Sequence, residues 1–413
     1  MTGHDRGAGP FDPKDPAFLA DPYPVFTALR EQAAVHFHPG LGERGMHVVL
    51  THAGCDAVLR ERGLGRIWRD REPAEQFPAF NLLHQTSILE SEPPTHTRLR
   101  RLVAGAFGRG HVERLRPWIG RLADRLVTEL AQRLADGEPS VDFLAAVAEP
   151  VPVEVIAELL GVPQADRHLL RPWSNAIVKM YEYGLDEAGR RAAEQASVAF
   201  VAYLRELVAE RRVAPREDDM ITDLVAATAD VEGRPSRLSQ DEVVGTCVLL
   251  LMAGHEATVN VAANGLLALL DRREAWQQVV DDPALVPGAV EEMLRFDSSL
   301  QLFERTATRE VEVAGTVIEQ GRKVAVLLGA ANRDPAVFAA PDTLDVTRSP
   351  NPHLAFGAGI HFCLGGPLAR VELQATLDAV RRLVPGAVVA SRPDRRREFV
   401  IRGLHELQIG SDG

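Results

Sequence analysis

Residues 356–370 read Phe356-Gly-Ala-Gly-Ile-His361-Phe-Cys363-Leu-Gly365-Gly-Pro-Leu-Ala-Arg370. One cysteine lies in a loop with Gly357, Gly359, Gly365 and Gly366 around it. Glycine reaches backbone angles that other residues avoid, and lets the chain approach something flat or bulky. Beyond Cys363, the residues Leu368, Val371, Glu372, Ala375 and Ala379 recur at helical spacing. They predict a helix over 365–383, with Cys363 just ahead of its N-terminus. Unpaired amides and the positive end of a helix dipole act on the sulfur there, a setting that lowers a thiol pKa and favours the thiolate. A thiolate in a glycine-lined loop suits the iron of a heme. Two plainer readings stand beside it: a small buried hydrophobe, and a nucleophile with His361 as its base. His361 and Cys363 span only three residues of one loop, which is poor geometry for a nucleophile and its base.

The rest of the chain sets bounds. It has 413 residues, 46% hydrophobic and 25% charged, an ordinary globular composition with ample material for a core. A net charge of −12 argues against broad nucleic-acid binding. Cys55, Cys247 and Cys363 are odd in number and far apart, which argues for a reducing compartment. The segment Met1–Pro16 is polar and has no apolar signal core. Val243–Ala253, the longest apolar stretch, reads as too short and interrupted to span a bilayer. The expectation is a cytoplasmic protein with no membrane contact, a mobile N-terminal arm over 1–16 and a single domain over 17–413.

Helices are predicted at 23–32, 52–60, 111–135, 151–160, 166–182, 186–212, 218–227 and 239–270, and another begins near Pro287. Strands are predicted at 35–38, 47–51, 311–318, 323–330, 398–404 and 407–409, and 298–304 reads as extended. Residues 61–90 show poor periodicity and read as a long irregular loop, a class that is usually functional or disordered.

Four motifs carry chemistry. In Glu92-Pro-Pro-Thr-His96-Thr-Arg98-Leu-Arg100-Arg101, the prolines open a helix, and His96 and Arg100 share one of its faces. Between Arg98 and Arg116 there are six arginines and one acid, Glu113, a basic patch on an acidic protein. The helix 239–270 opens on a Ser239/Glu242 capping box and carries Ala253-Gly254-His255-Glu256-Ala257-Thr258 at its middle. Burying an unpaired carboxylate is costly, and glycine costs a helix about 1 kcal/mol. Gly254 and Glu256 together therefore predict a local distortion and a proton route. Glu292 and Arg295 face the same way, three residues apart.

The pattern Phe356-x-x-Gly359-x-His361-x-Cys363-x-Gly365, continuing to Ala369-Arg370, resembles the heme-binding loop of the cytochrome P-450 family. With the other landmarks, the resemblance covers roughly residues 12–410. It implies the cytochrome P-450 fold, mainly α with small β-sheets, with the heme between the long central helix and the cysteine-loop helix. It implies a bacterial heme-thiolate monooxygenase that oxidises a small organic molecule, tailoring a secondary metabolite such as a polyketide or peptide. Cys363 would then be the metal ligand of heme b (iron protoporphyrin IX). By position, His96, Arg100, Arg305 and His361 resemble the family's propionate ligands, although the usual leading Asp is Glu92. Glu292 and Arg295 resemble a structural pair that the family couples to a later arginine, here Arg348.

The acid of the central helix, Glu256, resembles the residue that helps deliver protons. Ala257 departs from the family pattern, which has a threonine at that position; Thr258 points elsewhere, because adjacent helix residues diverge by roughly 100°. A hydroxyl or carbonyl of the substrate is expected to order the water that Ala257 cannot; the alternative is that Thr258 or a helix distortion at Gly254 places it without the substrate. Residues 61–90 resemble the roof of the substrate pocket, and the segment around Tyr181-Glu-Tyr183-Gly184-Leu185 the lid. Electrons are expected singly from ferredoxin and ferredoxin reductase, because no dinucleotide fingerprint is evident. A monomer is expected. The rival readings are oxidative coupling by the same heme chemistry, a peroxide-driven peroxygenase and a non-catalytic heme sensor.

Overall fold

The computed structural model describes residues 10–42, 44–107, 110–182, 185–231 and 234–412. At its centre is the helix Gln240–Leu270. The Ser239 hydroxyl accepts the Glu242 amide, and the Glu242 carboxylate accepts the Ser239 amide, so the predicted capping box is formed. This helix is apolar on nearly all sides, as befits one packed on every face. It passes a length-and-composition test for a membrane span, against the reading of the shorter Val243–Ala253 stretch, but 67% of the relevant window is buried inside the protein. It packs against the helices Pro150–Leu160, Arg167–Val178, Glu187–Val213, Val286–Phe296 and Gly366–Leu383.

A five-stranded sheet lies to one side, in the order Val35–His38, Met46–Val49, Lys323–Leu327, Leu302–Ala307, Leu64–Gly65. Met46–Val49 and Lys323–Leu327 run parallel, and the other pairs run antiparallel. Smaller sheets join Val141–Asp142 to Gln408–Ser411 and Ala387–Val389, and Val311–Val313 to Thr316–Ile318.

Helices 23–32, 52–60 and 111–135 lie where periodicity puts them. The region 61–90 is less irregular than expected. It holds the strand Leu64–Gly65 and the helix Pro78–Gln85, short elements whose signal is carried by tertiary contacts. The strand predicted at 311–318 is a hairpin, and that at 323–330 turns helical at Leu328. Of the arm expected over 1–16, residues 1–9 lie outside the described residues. From Phe11 onward the chain is packed, with the Phe11 ring stacked 4.8 Å from Phe18.

The helix Val286–Phe296 presents two adjacent acids in different directions. Glu292 and Arg295 are both fully buried and joined by two bonds, at 2.7 and 2.8 Å. Glu292 also accepts from Arg348 Nε at 3.2 Å, the Asp345 amide at 2.8 Å and Asn351 Nδ2 at 3.1 Å. Arg295 donates onward to the carbonyls of Asn332, Pro341 and Thr343. Glu291 reaches the other way, to Arg370 at 2.7 and 2.9 Å and to His353 at 3.0 Å. Together they pin both ends of the irregular segment that leads to Cys363.

The helix interior shows why two glycines stand where they do. A Cβ on Gly254 would come within 2.9 Å of Ile156 Cδ1. The central helix runs through it without a break, so the predicted distortion is absent and the glycine serves a close helix contact instead. At Gly265 a Cβ would fall 2.4–2.6 Å from three side-chain carbons of Met293.

Gly265→Ala should therefore destabilise the protein by about 1–3 kcal/mol through overpacking, despite alanine's better helix propensity. Combined with Met293→Ala, it should cost less than the sum of the single changes, as read by denaturant unfolding. Glu292→Ala should cost about 3–5 kcal/mol, because it strands buried Arg295.

Candidate functional site

Between the central helix and the cysteine loop lies a cavity of about 1030 Å³. Single-ligand pockets run to roughly 300–1,000 Å³, so this one has room for a flat prosthetic group and a substrate together. Cys363, His96, Arg100, Arg305 and His361 all line it, as do Glu256, Ala257 and Thr258 from the central helix.

The cysteine loop folds back on itself: the Cys363 amide donates to the Phe356 carbonyl at 2.9 Å. Gly359 is required there. Its φ is +70°, and a Cβ would stand 2.5 Å from the Leu59 carbonyl oxygen. The helix beyond begins at Gly366, as predicted within a residue. The thiol itself departs from expectation. Burial pushes its pKa up, and the amides of Gly365 and Gly366 with the charges of Arg100 and Arg370 only partly offset this. A bound metal cation would deprotonate the thiol outright.

His96 and Arg100 sit four residues apart on the helix Thr95–Phe107. Arg305 lies on the strand Leu302–Ala307, paired with Val324. His361 closes the short turn Gly359–His361. The sequence scatters these four donors and the fold brings them to one cavity. The His96 and His361 rings are 4.5 Å apart. Arg100 donates to the Phe362 carbonyl at 2.8 Å.

Several nitrogens are left over. His96 Nε2 and Arg305 Nε and Nη2 are buried and have no hydrogen-bond partner among the described residues. Burial, with Arg66 nearby, pushes Arg305 down to about 9, and burial beside His361 pushes His96 down to about 4. A buried guanidinium with two idle nitrogens is costly unless an anion meets it. This donor set therefore fits a planar group that brings its own carboxylates.

Glu256 is buried, and burial raises its pKa against the pull of Arg396. Arg396 Nη1 is 3.5 Å from one carboxylate oxygen and Asn260 Nδ2 is 3.4 Å from it. Ala257 places no hydroxyl in the cavity.

Other contacts were not foreseen from the sequence. Glu92 accepts the Arg66 amide at 2.7 Å and meets His361 Nε2 at 2.9 Å, so it orients a proposed cofactor ligand. Its pair of bonds holds its carboxyl below the usual range despite burial. Glu372 is wholly buried, which raises its pKa well above the ordinary value, and its Oε2 has no partner among the described residues. At the roof, Trp68 stacks on His84 with ring centroids 4.1 Å apart, and His84 bonds to Tyr181 at 2.6 Å. Glu182, beside it, is pushed up to about 7 by burial, against three backbone amides that it accepts. The sequence noted Glu92, Glu372, Tyr181 and Glu182 within their motifs but could not give their partners, because the contacts of Glu92, His84 and Glu182 span long chain separations. Tyr183 and Gly184 of the lid segment lie outside the described residues.

The basic patch is also altered by the fold. Arg98 pairs with Glu242, Arg114 with Asp218 at 2.8 Å and Arg116 with Glu113 at 3.1 Å. Arg109 lies outside the described residues. Acids from distant segments thus neutralise much of what reads in sequence as uncompensated charge. Arg100 stays beside the cysteine loop, where it donates to the carbonyl of exposed Phe362, while Arg101 donates to the Asp230 carbonyl.

Comparison with known proteins accords with this geometry. The family model "Cytochrome P450" matches residues 20–380. Cytochrome P450 107B1 of Saccharopolyspora erythraea is 41% identical over 407 residues, covering 96% of each chain. Mycinamicin IV hydroxylase/epoxidase of Micromonospora griseorubida is 41% identical over 415 residues, 99% of this chain and 100% of that one. The solved structure of P450BioI, in complex with an acyl carrier protein ligated to hexadec-9Z-enoic acid, superposes with a TM-score of 0.88 at 31% identity, covering 96% of this chain and 100% of that one. With its fold and nearly its whole length matched, this chain belongs to the cytochrome P450 family.

Proposed function

We propose that this monooxygenase holds heme b through Cys363 and oxidises a bulky, largely apolar secondary metabolite, with electrons from a ferredoxin. Its family implies the heme-thiolate cofactor and a small organic substrate. The observation that carries the residue assignment is the set of idle buried nitrogens of Arg305 and His96 beside Cys363. When bound, the heme supplies dioxygen activation and oxygen transfer. The chain supplies the rest. Cys363 offers sulfur, with Gly365 and Gly366 amides to stabilise its charge. His96, Arg100, Arg305 and His361 receive the two propionates. Glu292, Arg295 and Arg348 hold the segment before the cysteine loop in place. Val178, Leu249, Leu250, Val400 and Ile401 give the cavity apolar walls that exclude water.

Proton supply is the unusual part. Burial keeps Glu256 inclined to hold a proton, and Arg396 and Asn260 fix it on one side of the helix. Ala257 cannot order a water beside it, and Thr258 is buried at a different angle. A hydroxyl or carbonyl on the substrate itself completes the relay. A substrate of polyketide or peptide type fits the cavity and its relatives, among them a mycinamicin hydroxylase/epoxidase. Residues 17–413 act as one catalytic domain, monomeric and cytoplasmic. The electron donor approaches the basic helix Thr95–Phe107, on which Arg100 meets the cysteine loop and Arg101 is exposed.

Cys363→Ala should abolish the red-shifted Soret band of the reduced carbon monoxide complex; a retained band would refute the ligand. Arg305→Ala and Arg100→Ala should each lower heme occupancy, consistent with about 1.5–3 kcal/mol per charged hydrogen bond, while leaving that band in the protein still loaded. The rate of reduction by ferredoxin should fall steeply with salt, and Arg101→Glu should flatten that slope while Arg116→Glu leaves it unchanged. A substrate analogue lacking the polar group should bind yet leak peroxide, with coupling partly restored by Ala257→Thr. Equal coupling of analogue and substrate would sink substrate assistance.

A further inference from the structure

The lid ends in a carboxylate that grips the opposite wall of the cavity. Glu182 follows the turn Lys179–Tyr181 at the end of the helix Arg167–Val178. Its Oε2 accepts the amides of Phe399 and Val400, both at 3.1 Å, and its Oε1 accepts the amide of Ile401 at 3.0 Å. The other edge of that turn is already fixed. The Gln301 amide donates to the Val400 carbonyl at 2.9 Å, and the Arg402 amide to the Ser299 carbonyl at 2.7 Å. Glu182, Val400 and Ile401 all face the cavity.

The lid is tied differently to the roof. Glu194, on the helix Glu187–Val213, accepts the amides of Ala79 and Phe80 at 2.9 and 3.0 Å, at the start of the roof helix Pro78–Gln85. Tyr181 bonds to His84 at 2.6 Å, and Arg71 donates to the Met180 carbonyl at 2.9 Å. Lid and roof are thus joined at several separate points. Among the described residues, every hydrogen bond between segment 179–182 and segment 399–401 ends on the one side chain of Glu182. Neither Glu182 nor Glu194 forms an ion pair among the described residues, so peptide amides are the chief partners these carboxylates have.

We infer that Glu182 is a positioning residue: it clamps the lid to the turn Phe399–Ile401, sets Val400 and Ile401 against the substrate, and marks the seam along which the cavity opens. Lid and roof move away from the turn as one body, because their mutual bonds are distributed and the bonds to the turn converge on a single carboxylate. Releasing that carboxylate frees all three amides at once. A ligand leaving through this seam waits for the same event. The inference rests on reading the cavity as the substrate pocket, and its test separates the two.

Amide hydrogen exchange is read on the heme-loaded protein. In Glu182→Ala, exchange at Phe399, Val400 and Ile401 should rise by about tenfold or more, given the strength of bonds to a charged group. Exchange at Ala79 and Phe80 should stay unchanged. Glu194→Ala should show the reverse pattern. Glu182→Gln retains one oxygen as acceptor for the Phe399 and Val400 amides and should fall between, which also covers a poorly folding alanine variant. Stopped-flow absorbance with 4-phenylimidazole should show association and dissociation both faster in Glu182→Ala, with the dissociation constant moving less than either rate. Unchanged protection at 399–401 would overturn the clamp. Raised exchange with unchanged azole rates would overturn its role as the seam. An azole that fails to enter the wild-type cavity would overturn the pocket reading and leave the exchange result standing.

Discussion

The buried pair Glu292–Arg295 is the contact on which the site depends. Both side chains are wholly excluded from solvent; Arg295 donates to three backbone carbonyls, and Glu292 accepts one backbone amide beside the side chains of Arg348 and Asn351, all in a segment with little regular structure. That segment, from Asn332 to Asn351, has no ladder of its own to hold it. Charge-assisted bonds to its carbonyls and amides do the work that a sheet would do elsewhere. Glu291, one residue earlier, reaches Arg370 and His353 on the far side of the cysteine loop. One helix therefore fixes both flanks of Cys363. A buried ion pair is weak evidence for net stability, because desolvation offsets its attraction. Here its value is positional: it places a flexible glycine loop against a cavity.

The cavity itself is incomplete as a purely protein object. Its walls contain a guanidinium with idle nitrogens, a histidine nitrogen with no partner and a thiol whose pKa burial raises. Each is unfavourable alone, and each is relieved by a group that carries iron and carboxylates. On the proposed reading, a charged cofactor would offset the cost of burying these donors. Glu92 belongs to this logic. It holds His361 through a direct bond while its own carboxyl is fixed by the Arg66 amide.

On the opposite face, two buried acids line the cavity. Glu256 is held by Arg396 and Asn260, and Glu182 by three amides of the neighbouring turn. Burial raises the pKa of both and Glu398 adds to it, so Glu256 and Glu182 share one electrostatic neighbourhood. The apolar cavity thus has an acidic rim, placed where substrate polarity would be felt.

The sequence by itself determined the helices with strong periodicity, the capping box at Ser239, the position of the cysteine ahead of a helix and the family. These are local matters: spacing, caps and a glycine-rich motif act over a few residues, and the family pattern names its own positions. It also picked out Glu292, Arg295 and Arg348, whose junction the fold then formed. Only the tertiary structure decided what depends on long separations. It turned Gly254 from an expected distortion into a packing contact with Ile156. It neutralised Arg98 and Arg114 with Glu242 and Asp218. It reversed the expected direction of the Cys363 pKa, because burial there outweighs the amides that the helix start provides. The clamps of Glu182 and Glu194 were equally hidden, since a carboxylate that binds backbone amides leaves no mark on the identity of the residues it binds.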